Sequence, residues 1–235
     1  MNPQVFGKEH IIYIIVSTIL GALILLLIKE YARTPRQRSI AIKALAFLLF
    51  ASIMANRLSQ VFRYENVRWY CIIPDSFCGM TSLVISLGAL FGKKNNCVYH
   101  FLWLLSLFGG IATVIYPTFV SQHPSFFYLP TFSGLLHHSF SAILTVALLM
   151  LGQIDITYKK WHYVVLGFTC YLSVGAFLMS VFGVSDAFHI VEPLFSDTPL
   201  TVWVMAPMYL ASHGAIFALI ELYRHKRKKK RPITI

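Results

Sequence analysis

The sequence predicts an all-α protein, a polytopic bundle of seven transmembrane helices with the N-terminus outside and the C-terminus in the cytoplasm. Three observations lead to this prediction. Hydrophobic residues occupy 57% of the 235 positions and charged residues only 12%, a composition far from that of soluble domains. The apolar residues fall in seven long runs. Basic residues cluster in alternate connections between these runs, which is the pattern of membrane proteins.

Each predicted span meets the length requirement for crossing a bilayer, which is roughly 20 mainly apolar residues. The seven segments are His10–Ile28, Ile40–Phe62, Tyr70–Phe91, Cys97–Tyr116, Phe126–Gly152, Trp161–Phe182 and Pro199–Tyr223. The first is interpreted as a retained helix, because it is long for a signal peptide and no small-residue cleavage pattern follows it. We therefore predict one transmembrane domain over residues 1–223 and a basic cytoplasmic tail over residues 224–235.

The distribution of lysine and arginine predicts the orientation. Sixteen of the 20 basic residues fall on one side of the predicted membrane: Lys29, Arg33, Arg36, Arg38, Lys43, Lys93, Lys94, Lys159, Lys160, Arg224, Lys226, Arg227, Lys228, Lys229, Lys230 and Arg231. The other four are Lys8, Arg57, Arg63 and Arg68. The positive side is cytoplasmic, and an odd number of spans agrees with this split. The net charge of +11 is thus interpreted as a topology signal, and we expect a cell-membrane protein without a nucleic-acid partner.

Polar residues inside spans are costly, so they are candidate functional residues. With the orientation above, several of them fall in the outer half of the bilayer: Asn56, Arg57, Asp75, Cys78, His137, His138 and His213. They come from predicted helices 2, 3, 5 and 7. A shared depth on four helices predicts a site there.

Cysteine and histidine at similar depth suit a nucleophile and its base. Arg57 can hold a phosphate, and Asp75 can orient a histidine or pair with Arg57. Other interpretations stay open: a packing role for Cys78, hydrogen bonds between helices for the histidines, and snorkelling for Arg57. Asp75 can also flank the helix break at Pro74.

No metal or other cofactor is expected. His189 lies near Asp186, Glu192 and Asp197 in an outer loop. Helical zinc sites typically have H-x-x-x-H or H-E-x-x-H spacing, and the sequence has neither. The four cysteines also lack paired metal spacing.

An ordered set of short motifs resembles a known family. The motifs are Pro74-Asp-Ser-Phe-Cys78, Phe101-Leu-Trp-Leu-Leu-Ser-Leu-Phe-Gly-Gly110, Ile111-Ala-Thr-Val-Ile-Tyr-Pro117, Gln122-His-Pro-Ser-Phe-Phe127, His137-His138, Phe188-His-Ile-Val-Glu-Pro193 and Ala206-Pro-Met-Tyr209. From about Tyr70 to Tyr223, the chain resembles the YwaF-type bacterial membrane proteins, which are related to the eukaryotic transmembrane protein 164 acyltransferases.

The resemblance implies an intramembrane enzyme that moves a fatty acyl chain between phospholipids through a cysteine and a histidine. The family pattern Pro-Leu-His-Leu-Cys falls on Pro74 to Cys78, which carries the nucleophile over to Cys78. The histidine falls on His137 or His138, with His138 favoured. Where the family has a histidine before the cysteine, this chain has Ser76, which puts full family activity in question.

We therefore predict an acyltransferase acting on phospholipid or lysophospholipid, with Cys78, His138 and His137 as catalytic residues. The predicted substrate-binding residues are Asn56, Arg57, Arg68, Asp75, Ser76 and His213. The alternative is a small-solute transporter or binding protein whose polar cavity is lined by the same side chains. A seven-helix receptor or structural partner ranks last.

Overall fold

The computed structural model describes residues 6–63, 67–120, 123 and 125–229. Lys230 and Arg231 of the predicted tail, and Gln122 and Pro124 of the loop motif, lie outside the described residues. The helices are α1 (Lys8–Tyr31), α2 (Pro35–Val61), α3 (Phe77–Phe91), α4 (Cys97–Ile115), α5 (Leu129–Met150), α6 (His162–Phe182) and α7 (Val202–Lys229). The described residues contain no strand, so the predicted all-α class is confirmed.

Six of the helices are long and apolar enough to cross a membrane, and α3 is a shorter apolar helix. At ~1.5 Å per residue, its 15 residues fall short of a hydrocarbon core of about 30 Å. A multi-pass membrane protein is therefore supported, whereas the count of seven spans and the orientation stay predictions.

The prediction that the third helix begins at Tyr70 is wrong. The chain instead forms a 3₁₀ turn at Trp69–Ile72, then an extended stretch, and α3 begins only at Phe77. Pro74 has no backbone N–H to donate and disfavours helical geometry at the residue before it. The helix therefore restarts after this break.

Local capping explains where the helices begin and end. The Thr34 hydroxyl accepts from the Gln37 N–H at 3.2 Å, and the Gln37 side chain accepts from the Thr34 N–H at 2.9 Å, a capping box that starts α2. Asn96 caps α4 through the Tyr99 N–H at 3.0 Å. Gly183, with φ of 65°, ends α6 in the left-handed conformation that glycine adopts without strain.

The chain divides into two compact units, residues 1–154 and 155–235. In the first, α5 packs against α2 and α4, and α3 packs against α2 and α4. In the second, α6 contacts α7, and both contact a short 3₁₀ turn at Tyr158–Lys160. The predicted nucleophile and its two candidate bases all belong to the first unit.

Candidate active site

The start of α3 places Cys78 in its first turn. Ser76 is the N-cap residue, and its hydroxyl accepts from the Gly79 N–H at 3.2 Å. Cys78 is therefore the second helical residue, at the positive end of the helix dipole. Ser76, the departure from the family pattern, serves here as a cap.

The segment leading into α3 is held by Arg57 of α2. Arg57 Nε donates to the Cys71 carbonyl at 2.7 Å, and Nη2 donates to the Ile73 carbonyl at 3.3 Å. Nη1 lies 3.4 Å from Asp75 Oδ1. The arginine is only 9% exposed, so these contacts replace the water it loses. The observed role of this guanidinium is to fix the backbone that presents Cys78.

The Cys78 thiol faces α4. Its side chain is hydrogen-bonded to Thr113, a residue that is 4% exposed. A Cβ on Gly109 would stand 3.3 Å from the Cys78 sulfur, so the absence of a side chain at Gly109 makes room for the thiol. Sequence reasoning missed both α4 residues.

His138 of α5 reaches the same glycine. Its side chain is hydrogen-bonded to the backbone of Gly109. In a helix interior the N–H is already used by the helix, so the acceptor is the carbonyl, which has a second lone pair. One ring nitrogen of His138 then carries the proton, and the other carries the lone pair that a general base requires. Cys78 and His138 therefore both lie next to Gly109.

Close contact between α4 and α5 makes this arrangement possible. A Cβ on Gly110 would stand 2.6 Å from the His138 carbonyl oxygen, closer than any side chain allows. About one helical turn before Gly110 on α4, Ser106 shares a hydrogen bond of 2.7 Å with the Ser141 hydroxyl of α5, and the Thr145 hydroxyl donates to Ser106 Oγ at 2.8 Å. Small and hydroxyl-bearing residues of this kind bring membrane helices together.

His137 has a different partner. Its Nδ1 lies 3.0 Å from Ser82 Oγ of α3, one helical turn beyond Cys78. The His137 and His138 rings are 4.2 Å apart between centroids, and both residues are buried. The Ser82 contact was not predicted, although its spacing of four from Cys78 places both on one face of α3.

Asn56 and Arg68, two other predicted site residues, make contacts of their own in the first unit. Asn56 donates to the Pro130 carbonyl at 2.9 Å and to Ser133 Oγ at 3.3 Å, which ties α2 to the start of α5. Arg68 precedes the 3₁₀ turn, and its N–H donates to the Val61 carbonyl at 3.3 Å. His213 lies on α7 in the second unit.

Comparison with known proteins identifies one family that matches the sequence. The sequence model of the TMEM164 family matches residues 5–223, which is most of the chain. No curated protein matches the sequence. No solved structure matches it either.

Proposed function

The chain belongs to the TMEM164 family, and we propose that it is an intramembrane acyltransferase that uses Cys78 as nucleophile and His138 as base. The observation that carries the proposal is that the Cys78 thiol and the His138 ring both lie next to Gly109. The family match supports a membrane protein of the TMEM164 family. The cysteine and histidine chemistry is our proposal.

In the first half-reaction, His138 takes the thiol proton as Cys78 attacks the ester carbonyl of a phospholipid. The new C–S bond forms, the ester C–O bond breaks, and the imidazolium returns its proton to the departing lysophospholipid oxygen. The second half-reaction runs in reverse with a different hydroxyl. His138 deprotonates the acceptor, whose oxygen takes the acyl group and releases the thiol.

Three features support this course. The first turn of α3 supplies a positive dipole end, which stabilises both the thiolate and the developing oxyanion. The Thr113 hydroxyl orients the thiol. The hydrogen bond from His138 to Gly109 fixes the ring, as an orienting group does in other nucleophile–base pairs.

The proposal assigns the two histidines different roles. His138 is the base because it shares Gly109 with Cys78, whereas His137 is engaged with Ser82 and ties α5 to α3. Arg57 positions the Cys71–Asp75 segment. Because its guanidinium already binds two carbonyls and Asp75, we do not retain it as the main phosphate ligand.

The test is acyl transfer by the full-length protein in vesicles, with a labelled lysophospholipid as acceptor and phospholipid as donor. Cys78→Ser should abolish transfer, while Cys170→Ser, which changes an exposed cysteine on α6, should leave it unchanged. A thiol-directed acyl analogue should label Cys78 in the wild type. Undiminished transfer by Cys78→Ser would exclude Cys78 as the nucleophile, whereas no transfer by the wild type would exclude the enzyme proposal and favour the transport alternative.

A further inference from the structure

The second unit contains a cavity of about 480 Å³ between the start of α6 and the middle of α7. The size lies in the range of ligand-binding pockets, roughly 300 to 1,000 Å³. From His213 to Glu221, both in its lining, the cavity follows α7 for roughly 12 Å at 1.5 Å per residue. It is therefore elongated along a predicted membrane helix.

The inner part of the cavity is apolar. Val164 and Phe217 contribute buried side chains, and His213 is 2% exposed. The His213 ring packs edge-on against Phe217, with centroids 4.7 Å apart, so this histidine presents part of an aromatic wall. At Gly214 a Cβ would meet nothing within 4 Å, which shows open space beside the helix. Such a lining suits a hydrocarbon chain.

The two ends of the cavity differ in chemistry. Tyr158 and Trp161, each 54% exposed, line the end near Glu221, and exposed tyrosine and tryptophan are typical of the membrane–water interface. Lys159 and Lys160 lie between them in sequence. This end is therefore placed at a headgroup level rather than in hydrocarbon.

The charge at this interfacial end is positive. Arg224 pairs with Asp155 at 3.1 Å and with Glu221 at 3.7 Å, so one arginine serves both carboxylates. Residues 155–160 and 221–226 hold four cations against those two carboxylates: Lys159, Lys160, Arg224 and Lys226. Four minus two leaves an excess of two positive charges, which attracts anionic headgroups.

We propose that this cavity binds one acyl chain of an anionic phospholipid, with the headgroup at the Lys159–Lys160 end and the chain along Gly214 towards His213. Neither the family match nor the proposed acyl transfer assigns this site. The proposal does not depend on that activity, because it concerns binding within the second unit alone.

The experiment uses the full-length protein in phosphatidylcholine vesicles that contain phosphatidylglycerol with a photoactivatable acyl chain. Illumination followed by peptide mapping should place the label mainly on residues 210–221 of α7. Gly214→Phe fills the open space and should lower that labelling to the level of the other lipid-facing surface of α7. Leu219→Phe, at a position that is 66% exposed and outside the cavity lining, should leave the labelling unchanged.

A second variant tests the headgroup. Exchange of both Lys159 and Lys160 for Gln should remove the preference for photoactivatable phosphatidylglycerol over photoactivatable phosphatidylcholine. Even labelling along α6 and α7, or labelling that Gly214→Phe does not reduce, would indicate only surrounding bilayer lipid and overturn the proposal. If Gly214→Phe does not yield folded protein, Ala218→Phe narrows the same cavity and gives the same two readings.

Discussion

Ser82 Oγ and His137 Nδ1 lie 3.0 Å apart, and this hydrogen bond separates the roles of two adjacent histidines. Both residues are buried, so neither partner can turn to water if the other is removed. The bond joins α3 to α5 one turn beyond Cys78. The neighbouring His138 is left with the Gly109 contact beside the thiol.

We predict opposite results for substitutions at the two histidines. His138→Gln should abolish acyl transfer with little loss of stability, because the amide keeps a hydrogen-bond donor but cannot act as a base. His137→Asn should retain most transfer, because its amide can still bond Ser82 near the Nδ1 position. Acyl-transfer rates measure the activity of the two variants, and thermal unfolding in detergent measures their stability. Loss of transfer in His137→Asn alone would reverse the assignment.

The glycine pair on α4 gives a second prediction. Gly109→Ala places a Cβ 3.3 Å from the Cys78 sulfur, which displaces the thiol slightly and should reduce acyl transfer. Its stability should be unchanged or higher, since alanine is favoured over glycine in helices by about 1 kcal/mol. Gly110→Ala, with its Cβ 2.6 Å from the His138 carbonyl oxygen, should destabilise the protein strongly. Unfolding temperatures in one detergent compare the two, and equal losses would contradict the described helix contact.

The site was only partly predictable from the sequence. Polar residues in apolar runs pointed to Cys78 and the histidines, because burial of such residues in lipid is costly wherever they lie. Thr113 and Gly109 gave no comparable signal. Threonine and glycine are common in membrane helices, and their role depends on which face of α4 meets α3. That relation is set by tertiary packing.

The fold could be predicted better than the site, apart from the start of the third helix. Hydropathy located the six long apolar helices of the described residues, because a spanning helix must be apolar over most of its length. The span was nevertheless drawn from Tyr70 through the possible break at Pro74, since the flanking residues are apolar enough to continue it. Proline chemistry and the cap at Ser76 outweigh hydropathy there, and the interruption brings Cys78 to a helix start.

Arg57 gives the third prediction. Arg57→Ala removes the donors of the Cys71 and Ile73 carbonyls and should cost about 3 kcal/mol of unfolding free energy. Asp75→Asn should cost less than about 1 kcal/mol, because the Asp75 side chain is 46% exposed and 3.4 Å from the guanidinium. Denaturant titration in mixed micelles measures the two values. A larger cost for Asp75→Asn would mean that the ion pair, rather than the carbonyl contacts, holds this segment.

Ser76 supports the fourth prediction. Ser76→Ala removes the cap of α3 and should cost about 1 kcal/mol, with a fall in acyl transfer because Cys78 lies in the turn that frays. Ser76→Asp keeps a capping oxygen and should restore the stability. Thermal unfolding together with the transfer assay checks the pair. If Ser76→Ala lost activity without losing stability, the hydroxyl would act directly in the reaction rather than as a cap.

The fifth prediction concerns orientation, on which the outer-leaflet placement of Cys78 depends. The exposed Cys97 begins α4 next to Lys93 and Lys94, on the side predicted to be cytoplasmic. The exposed Ser125 precedes α5 on the opposite side. In intact cells a membrane-impermeant maleimide should label Ser125→Cys but not Cys97, and Cys97 should react after permeabilisation. Peptide mapping identifies the modified residue. Labelling of Cys97 in intact cells would invert the predicted topology and place the Cys78 site in the inner leaflet.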